Sequence, residues 1–344
     1  MDYLFLTISL LIIQIFLLSF FKKKKIFFDE DFKKPQSVHK ISIPRIGGVI
    51  LFLPLLLIFY YLRDTTEIQG YFVVCSVCFF LGMLDDVKIV NNPILRFIFL
   101  ISSFIFSAIF FEIKITSFGD EYLNNLNNYY IFSIILVTSC LFAATNGANL
   151  TDGFNGLMLL NILISFLLFF VPAYLEKNYF IIKLLILTFP LLLFLLFINF
   201  PKAKIFMGDS GAYLCGSLIG MIAISLNKNW DISPFYLAYI LIYFVFELFF
   251  SICRKLIERK NPFKPDNMHL HLLLFQFLKQ QKINGANYKT SLIINVINFF
   301  LITPSIFFYK NILITKIFFF IYMIIYICCY FILKKKLFNN FFKI

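Results

Sequence analysis

Four stretches of this 344-residue chain carry side chains that could do chemistry together. Leu84-Asp85-Asp86-Val87 sets two carboxylates side by side. Like charges that close repel, which favours one of them as a proton acceptor. The pair is not the Asp-Asp-x-x-Asp of prenyl synthases, because position 89 is Ile. From Asn146 to Leu157 the chain reads Asn-Gly-Ala-Asn-Leu-Thr-Asp-Gly-Phe-Asn-Gly-Leu. The glycines permit close backbone approach and left-handed φ, while Asn149, Asp152 and Asn155 offer oxygen ligands. A helix starting there would turn its positive end toward an anion; the plainer reading is a tight polar turn between helices. Phe206-Met207-Gly208-Asp209-Ser210-Gly211 places one carboxylate between glycines at another helix start, which suits a Mg2+–diphosphate site. Gly-Asp-Ser-Gly also surrounds the nucleophile of trypsin-like proteases, but no soluble β-barrel pattern accompanies it here. The Gly-x-Gly-Asp of intramembrane aspartyl proteases fails because position 206 is Phe. Finally, Pro262-Phe263-Lys264-Pro265-Asp266-Asn267-Met268-His269-Leu270-His271 holds two of the chain's three histidines. In a basic, proline-bounded loop His269 and His271 suit contact with an anionic substrate. No further His or Cys stands near enough for zinc. Glu247 shares a helical face with Arg254, and that charge pair explains it as well as catalysis does.

The elements that must position these residues are membrane helices. Apolar residues make up 61% of the chain and charged ones 14%, against about 45–50% and about 25% in soluble domains. Fifty Phe and 18 Tyr exclude a disordered chain. The apolar segments are 3–21, 46–62, 71–84, 94–111, 129–145, 157–174, 180–198, 211–226, 234–252, 291–309 and 312–333. Backbone polar groups in lipid must be paired internally, so each is expected to be a helix. The expectation is an all-α polytopic membrane protein of about eleven spans, a single transmembrane domain over residues 1–344 with 253–290 as a loop carrying the His-x-His motif. Segments 71–84 and 211–226 are short, and the second contains Gly211, Gly216 and Gly220, so close packing is expected there. The first apolar run is followed by Lys22 to Lys25 and reads as a retained span, not a signal peptide.

The net charge of +13 could mean nucleic acid in a soluble protein. In a polytopic chain it sets topology first, and no nucleic-acid partner is expected. With the N-terminus outside, 24 of the 31 Lys and Arg fall in inner loops. The remaining seven are Arg63, Lys114, Lys177, Lys183, Lys228, Lys310 and Lys316. That puts the C-terminus in the cytoplasm, together with Asp85, Asp86, Asn149, Asp152, Asp209, His269 and His271. Carboxylates cost about 2.5–3.5 kcal/mol at a helix centre and less at its boundary, which makes these residues functional candidates. The seven cysteines lie in or beside apolar runs. Cys75 and Cys78 form a lone C-x-x-C with no second pair for a metal.

Taken in order, these motifs resemble the polyprenyl-phosphate N-acetylhexosamine-1-phosphate transferases of glycosyltransferase family 4. Pro35 through His39-Lys40 to Pro44-Arg45-Ile46-Gly47-Gly48 adds a further match, so the likeness runs from about residue 35 to 275. The Pro-Phe-x-Pro-Asp stretch resembles the bacterial branch that transfers GlcNAc-1-phosphate to start O-antigen, common antigen or teichoic-acid linkage units. It is less like the muramoyl-pentapeptide branch, whose loop has three consecutive His and then an acid. Two positions depart from the pattern: Asn155 replaces a frequent second Asp, and Leu272 replaces a His. The resemblance implies a bacterial inner-membrane enzyme with its site on the cytoplasmic face. It would move a sugar-1-phosphate from a UDP-sugar to undecaprenyl phosphate and release UMP. It further implies Mg2+, with Mn2+ as a substitute, held by Asp209 and Asn149. Asp85 would take the acceptor's proton or orient its phosphate, or an Asp would attack first and form a covalent intermediate. Asp86 and Asp152 would support metal and substrates. Eukaryotic relatives also have Asn at the position of Asn155, assigned there to uracil recognition, which implies that role for Asn155, and Arg96, His39, Lys40, His269 and His271 are candidates for phosphate or sugar contact. Relatives also imply a homodimer.

The rival class is an ion-coupled transporter, which predicts ionisable residues deep in several spans and repeat symmetry. Here the acids gather toward one face, Glu247 aside, and no repeat is visible. A bare scaffold or lipid-binding protein is the second rival. Mg2+-dependent UMP release separates all three.

Overall fold

The computed structural model describes residues 3–24, 43–65, 67–89, 92–127, 129–228, 231–262, 264 and 266–341. His39, Lys40, Lys25, Phe263 and Pro265 lie outside the described residues. In chain order the helices are α1 Tyr3–Lys24, α2 Gly47–Tyr61, α3 Ile68–Asp86, α4 Pro93–Phe110, α5 Glu121–Asn127, α6 Tyr130–Thr151 and α7 Leu157–Leu175. They continue with α8 Tyr179–Asn199, α9 Gly208–Asn227, α10 Pro234–Ile240, α11 Ile242–Ile257, α12 Leu270–Gln280, α13 Ala286–Ile302 and α14 Ile312–Phe341.

Every one of the eleven apolar segments falls on these helices, with 291–309 running from α13 into a 3-10 helix at Thr303–Phe308. Among the described residues nine helices are long and apolar enough to cross a membrane. A tenth candidate is the pair α10 and α11, bent by 78° at Leu241. Helix α2 is shorter, at 15 residues. The segments read as short are longer as helices: α3 has 19 residues and α9 has 20. The 253–290 connection is also not plain loop, since α11 runs to Ile257 and α12 occupies Leu270–Gln280.

Helix α9 is the hub, with nearly every residue buried against α2, α3, α6, α7 and α10. Its Gly, Ala, Ser and Cys side chains let neighbouring backbones approach closely, the usual basis of helix association in lipid. Gly82 of α3 shows how tight this is: a Cβ there would sit 2.5 Å from the Ser210 Cα. Hydrogen bonds replace apolar packing between α7, α13 and α14. Asn161 Nδ2 donates to Asn295 Oδ1 at 2.7 Å, Asn298 Nδ2 to Asn161 Oδ1 at 3.3 Å, and the Tyr322 hydroxyl to Asn298 Oδ1 at 2.7 Å. These polar groups deep in the spans are neutral amides and a phenol, each with a partner.

The chain alternates direction, so the C-terminal ends of α3 and α6 meet the N-terminal ends of α2, α4 and α9. Short-range signals place those ends. Asn92 caps α4 by accepting from the Ile94 N–H at 2.9 Å, and Pro93 opens the helix. Arg96 therefore stands in the first turn of α4.

Candidate functional site

The site is built on the start of α9. The first amides of a helix have no partner within it and carry its positive dipole end. Here Asp86, the last residue of α3, supplies the anion. Its Oδ1 accepts the Asp209 N–H at 2.9 Å. Its Oδ2 accepts the Ser210 N–H at 3.0 Å and the Ser210 hydroxyl at 2.7 Å. Gly208 makes the approach feasible: its φ is +73°, and a Cβ would lie 2.6 Å from Asp86 Oδ2. Asp86 is thus the clamp that sets where Asp209 begins its helix.

The Asp209 side chain is left part-exposed, its carboxylate 3.7 Å from the Arg96 guanidinium. Arg96 also pairs with Asp85. One cation from α4 therefore orders two carboxylates from α3 and α9. Asp152 follows directly on α6 and faces the same group. Burial first, then the Asp209 charge, pushes its carboxyl well above the usual carboxylate range, and the Asp86 charge adds to this. The Arg45 guanidinium and the Gly208 N–H act in the opposite direction. One turn earlier on α6, the Asn149 side chain reaches the hydroxyl of Tyr213, one turn beyond Asp209 on α9. Asp85, Asp86, Asn149, Asp152, Asp209 and Arg96 are therefore brought together.

Four carboxyl groups and two guanidiniums meet there. Among the described residues no group of three or more His, Cys, Asp or Glu side chains is placed to hold a metal ion. The donors on offer are all oxygens, which suits a hard divalent cation completed by water and substrate phosphate.

The histidines are arranged otherwise. Both His269 and His271 are buried, their rings stacked with centroids 5.4 Å apart. His269 Nδ1 lies 2.9 Å from Glu247 Oε1, and its Nε2 is 3.6 Å from Asp266. Glu247 also accepts from the Leu270 N–H at 3.2 Å and from the Tyr326 hydroxyl of α14 at 2.6 Å. Arg254 binds Asp266 at 2.7 Å and Glu258 at 3.5 Å. The expected Glu247–Arg254 pair is corrected accordingly: the folded loop brings Glu247 a nearer partner in His269. Burial pushes the His271 imidazole down to about 4. The Phe154 ring, 5.4 Å from that of His271, joins this loop to the turn after Asp152.

Asn155 lies in the same turn and is buried. Its backbone N–H donates to Asn287 Oδ1 at 2.9 Å and its Nδ2 to the Pro201 carbonyl at 2.8 Å, while its buried Oδ1 has no hydrogen-bond partner among the described residues. At the start of α7 the Gly156 N–H donates to Asn199 Oδ1 at 2.6 Å, while the helix start that meets a carboxylate of the chain is that of α9. Sequence reasoning did not single out Ser210, Tyr213 or Tyr326. Their signals were a serine after a helix-opening acid and tyrosines inside apolar runs, patterns with many other meanings.

A family model described as glycosyl transferase family 4 matches residues 68–227, from the start of α3 to the end of α9. A phospho-N-acetylmuramoyl-pentapeptide-transferase of Streptococcus equi subsp. equi is 30% identical over 231 residues, 62% of this chain and 67% of the relative. The undecaprenyl-phosphate alpha-N-acetylglucosaminyl 1-phosphate transferase of Thermotoga maritima is 29% identical over 255 residues, 74% of this chain and 75% of the relative.

Proposed function

From the premise that the chain belongs to glycosyl transferase family 4, we propose that it transfers a sugar-1-phosphate from a UDP-sugar to a membrane polyprenyl phosphate. GlcNAc-1-phosphate is the group moved and undecaprenyl phosphate the acceptor. An acceptor phosphate oxygen bonds to the sugar-side phosphorus of the donor, the bridging P–O bond breaks, and UMP leaves with the electron pair. The observation that carries this reading is the gathering of Asp85, Asp86, Asp152 and Asp209 from three distant segments around Arg96 and the start of α9.

Phosphoryl transfer depends mainly on positioning and charge compensation. Arg96 holds Asp85 and Asp209 in mutual register. Asp86 holds the first turn of α9. Asp85 takes the acceptor's proton or orients its phosphate. Asp209 and Asn149 would hold Mg2+, and the ion, when bound, would offset the charge that repels one phosphate from another. The polar end of the bundle faces the cytosol of a bacterial inner membrane, where a soluble donor meets a lipid acceptor.

The streptococcal relatives favour a second reading, transfer of phospho-MurNAc-pentapeptide. The loop Asp266-Asn267-Met268-His269-Leu270-His271 favours the first. Purified protein incubated with undecaprenyl phosphate and either UDP-GlcNAc or UDP-MurNAc-pentapeptide decides between them. Metal-dependent UMP release is expected with UDP-GlcNAc. Release with the pentapeptide donor alone selects the second reading, and release with neither rejects both.

A further inference from the structure

The segment before α2 is strapped onto the start of α9. The Phe206 N–H donates to the Pro44 carbonyl, and the Gly47 and Gly48 N–H groups donate to the carbonyls of Phe206 and Met207, all at 2.9 Å. Side chains would prevent this fit. A Cβ on Gly47 would stand 2.8 Å from the Met207 Cα, and one on Gly48 2.9 Å from the Gly211 Cα. Between these anchors sits Arg45. Its Nη1 lies 3.9 Å from Asp86 Oδ1, and its side chain is 28% exposed, on the rim of the carboxylate group.

Three donors of α9 already bond both oxygens of Asp86 at 2.7–3.0 Å. Arg45, farther away, adds charge there rather than a hydrogen bond to Asp86. Its counterpart is Arg96, on the Asp85 and Asp209 side of the same group. Two cations from separate elements thus stand at the carboxyl groups, Arg45 at Asp86 and Arg96 at Asp85 and Asp209. Resting on the transferase reading above, we propose that Arg45 binds a substrate phosphate. A guanidinium presents a planar fork that matches two phosphate oxygens, which a lysine ammonium does not reproduce. The phosphate belongs either to the nucleotide donor or to the lipid acceptor, and the two are separable by experiment.

The probes are UDP and undecaprenyl phosphate, each titrated against full-length protein in detergent micelles, with thermal unfolding followed in parallel. Arg45→Ala is expected to weaken binding of one probe by about tenfold or more, the scale of a lost charged hydrogen bond. Weakened UDP binding assigns Arg45 to the donor, and weakened lipid binding assigns it to the acceptor. Arg45→Lys keeps the charge and loses the fork, so it should unfold like the native protein yet bind that probe more weakly. It also decides the matter alone if the alanine variant does not fold. Binding of both probes by the folded variants within about twofold of native overturns the proposal and leaves Arg45 a counter-charge for Asp86. A native protein that binds neither probe overturns the transferase reading, and this assignment with it.

Discussion

Asp209 and His271 mark the two kinds of polar residue in this molecule, one displayed and one enclosed. Asp209 keeps a part-exposed carboxylate because Asp86 satisfies the backbone beneath it. Asp209→Asn preserves size and the α9 backbone bonds but removes the charge, so turnover should fall by about 100-fold or more while thermal unfolding stays near native. UMP release beside a melting curve checks this, and near-native turnover would falsify the role given to Asp209. His271 is held neutral by burial, with its Nδ1 3.4 Å from the Tyr243 hydroxyl, Phe154 against its edge and His269 stacked on it. Its folded value of about 4 lies below the ordinary 6.5, while the Glu247 charge acts to raise it. A depressed value means the stabilisation is present above the unfolded pKa and is lost as pH falls from there through the folded one. In His271→Phe, then, Tm should decline less than in the native protein between pH 6.5 and 4, with similar values at neutral pH. Parallel declines would remove this group from the acid sensitivity.

Helices α3 and α9 cross so closely at Gly82 that the position of Asp209 is a property of the helix pair, not of its own loop. Gly82→Ala adds one methyl group that meets the Ser210 backbone, and such overpacking costs about 1–3 kcal/mol. The variant should remain folded with kcat lowered by at least about tenfold, because small displacements of a catalytic group are expensive in rate. Native kcat in a folded Gly82→Ala protein would show that α9 can shift without consequence. Much of the element scale is legible in the sequence. Apolar runs between polar breaks announce the spans, since lipid leaves the backbone no alternative to a helix. Asn92-Pro93 announces the start of α4, and the carboxylates stand at span ends, so their convergence follows from alternating direction. What the sequence hides is non-local. The bond from α9 to Asp86 joins residues 123 positions apart, and the Asn161–Asn295 pair joins residues 134 apart. Helical-face spacing joined Glu247 to Arg254, whereas the folded loop carries His269 to it from beyond both. In the sequence Arg45 is an inner positive charge and part of the Pro44-to-Gly48 match with no role of its own, because the strap that delivers it depends on the backbone of residues 206–207.

For the whole molecule, chemistry and topology make the same demand from independent residues. The donor is water-soluble and the acceptor is a lipid, so catalysis must occur where an aqueous compartment touches the bilayer. The carboxylate-bearing end of the bundle meets that condition, since its acids lie at helix ends and not at mid-span. Lys and Arg set the expectation for which compartment that is. Arg45, Lys88, Arg96, Lys202 and Lys204 share the end that holds the acids, whereas Arg63, Lys114, Lys177, Lys228 and Lys310 lie in connections at the other end. Positive charge is retained on the cytoplasmic side during insertion whether or not it binds anything. None of the carboxylates that argue for catalysis contributes to this orientation. Reporter fusions test it directly. Green fluorescent protein joined after Lys202 should fluoresce, and alkaline phosphatase joined there should be inactive; a junction after Lys177, between α7 and α8, should give the reverse. Phosphatase activity after Lys202 would place the acids on the outer face, away from any cytosolic nucleotide sugar. The transferase assignment would then fail even with every distance around Asp209 intact.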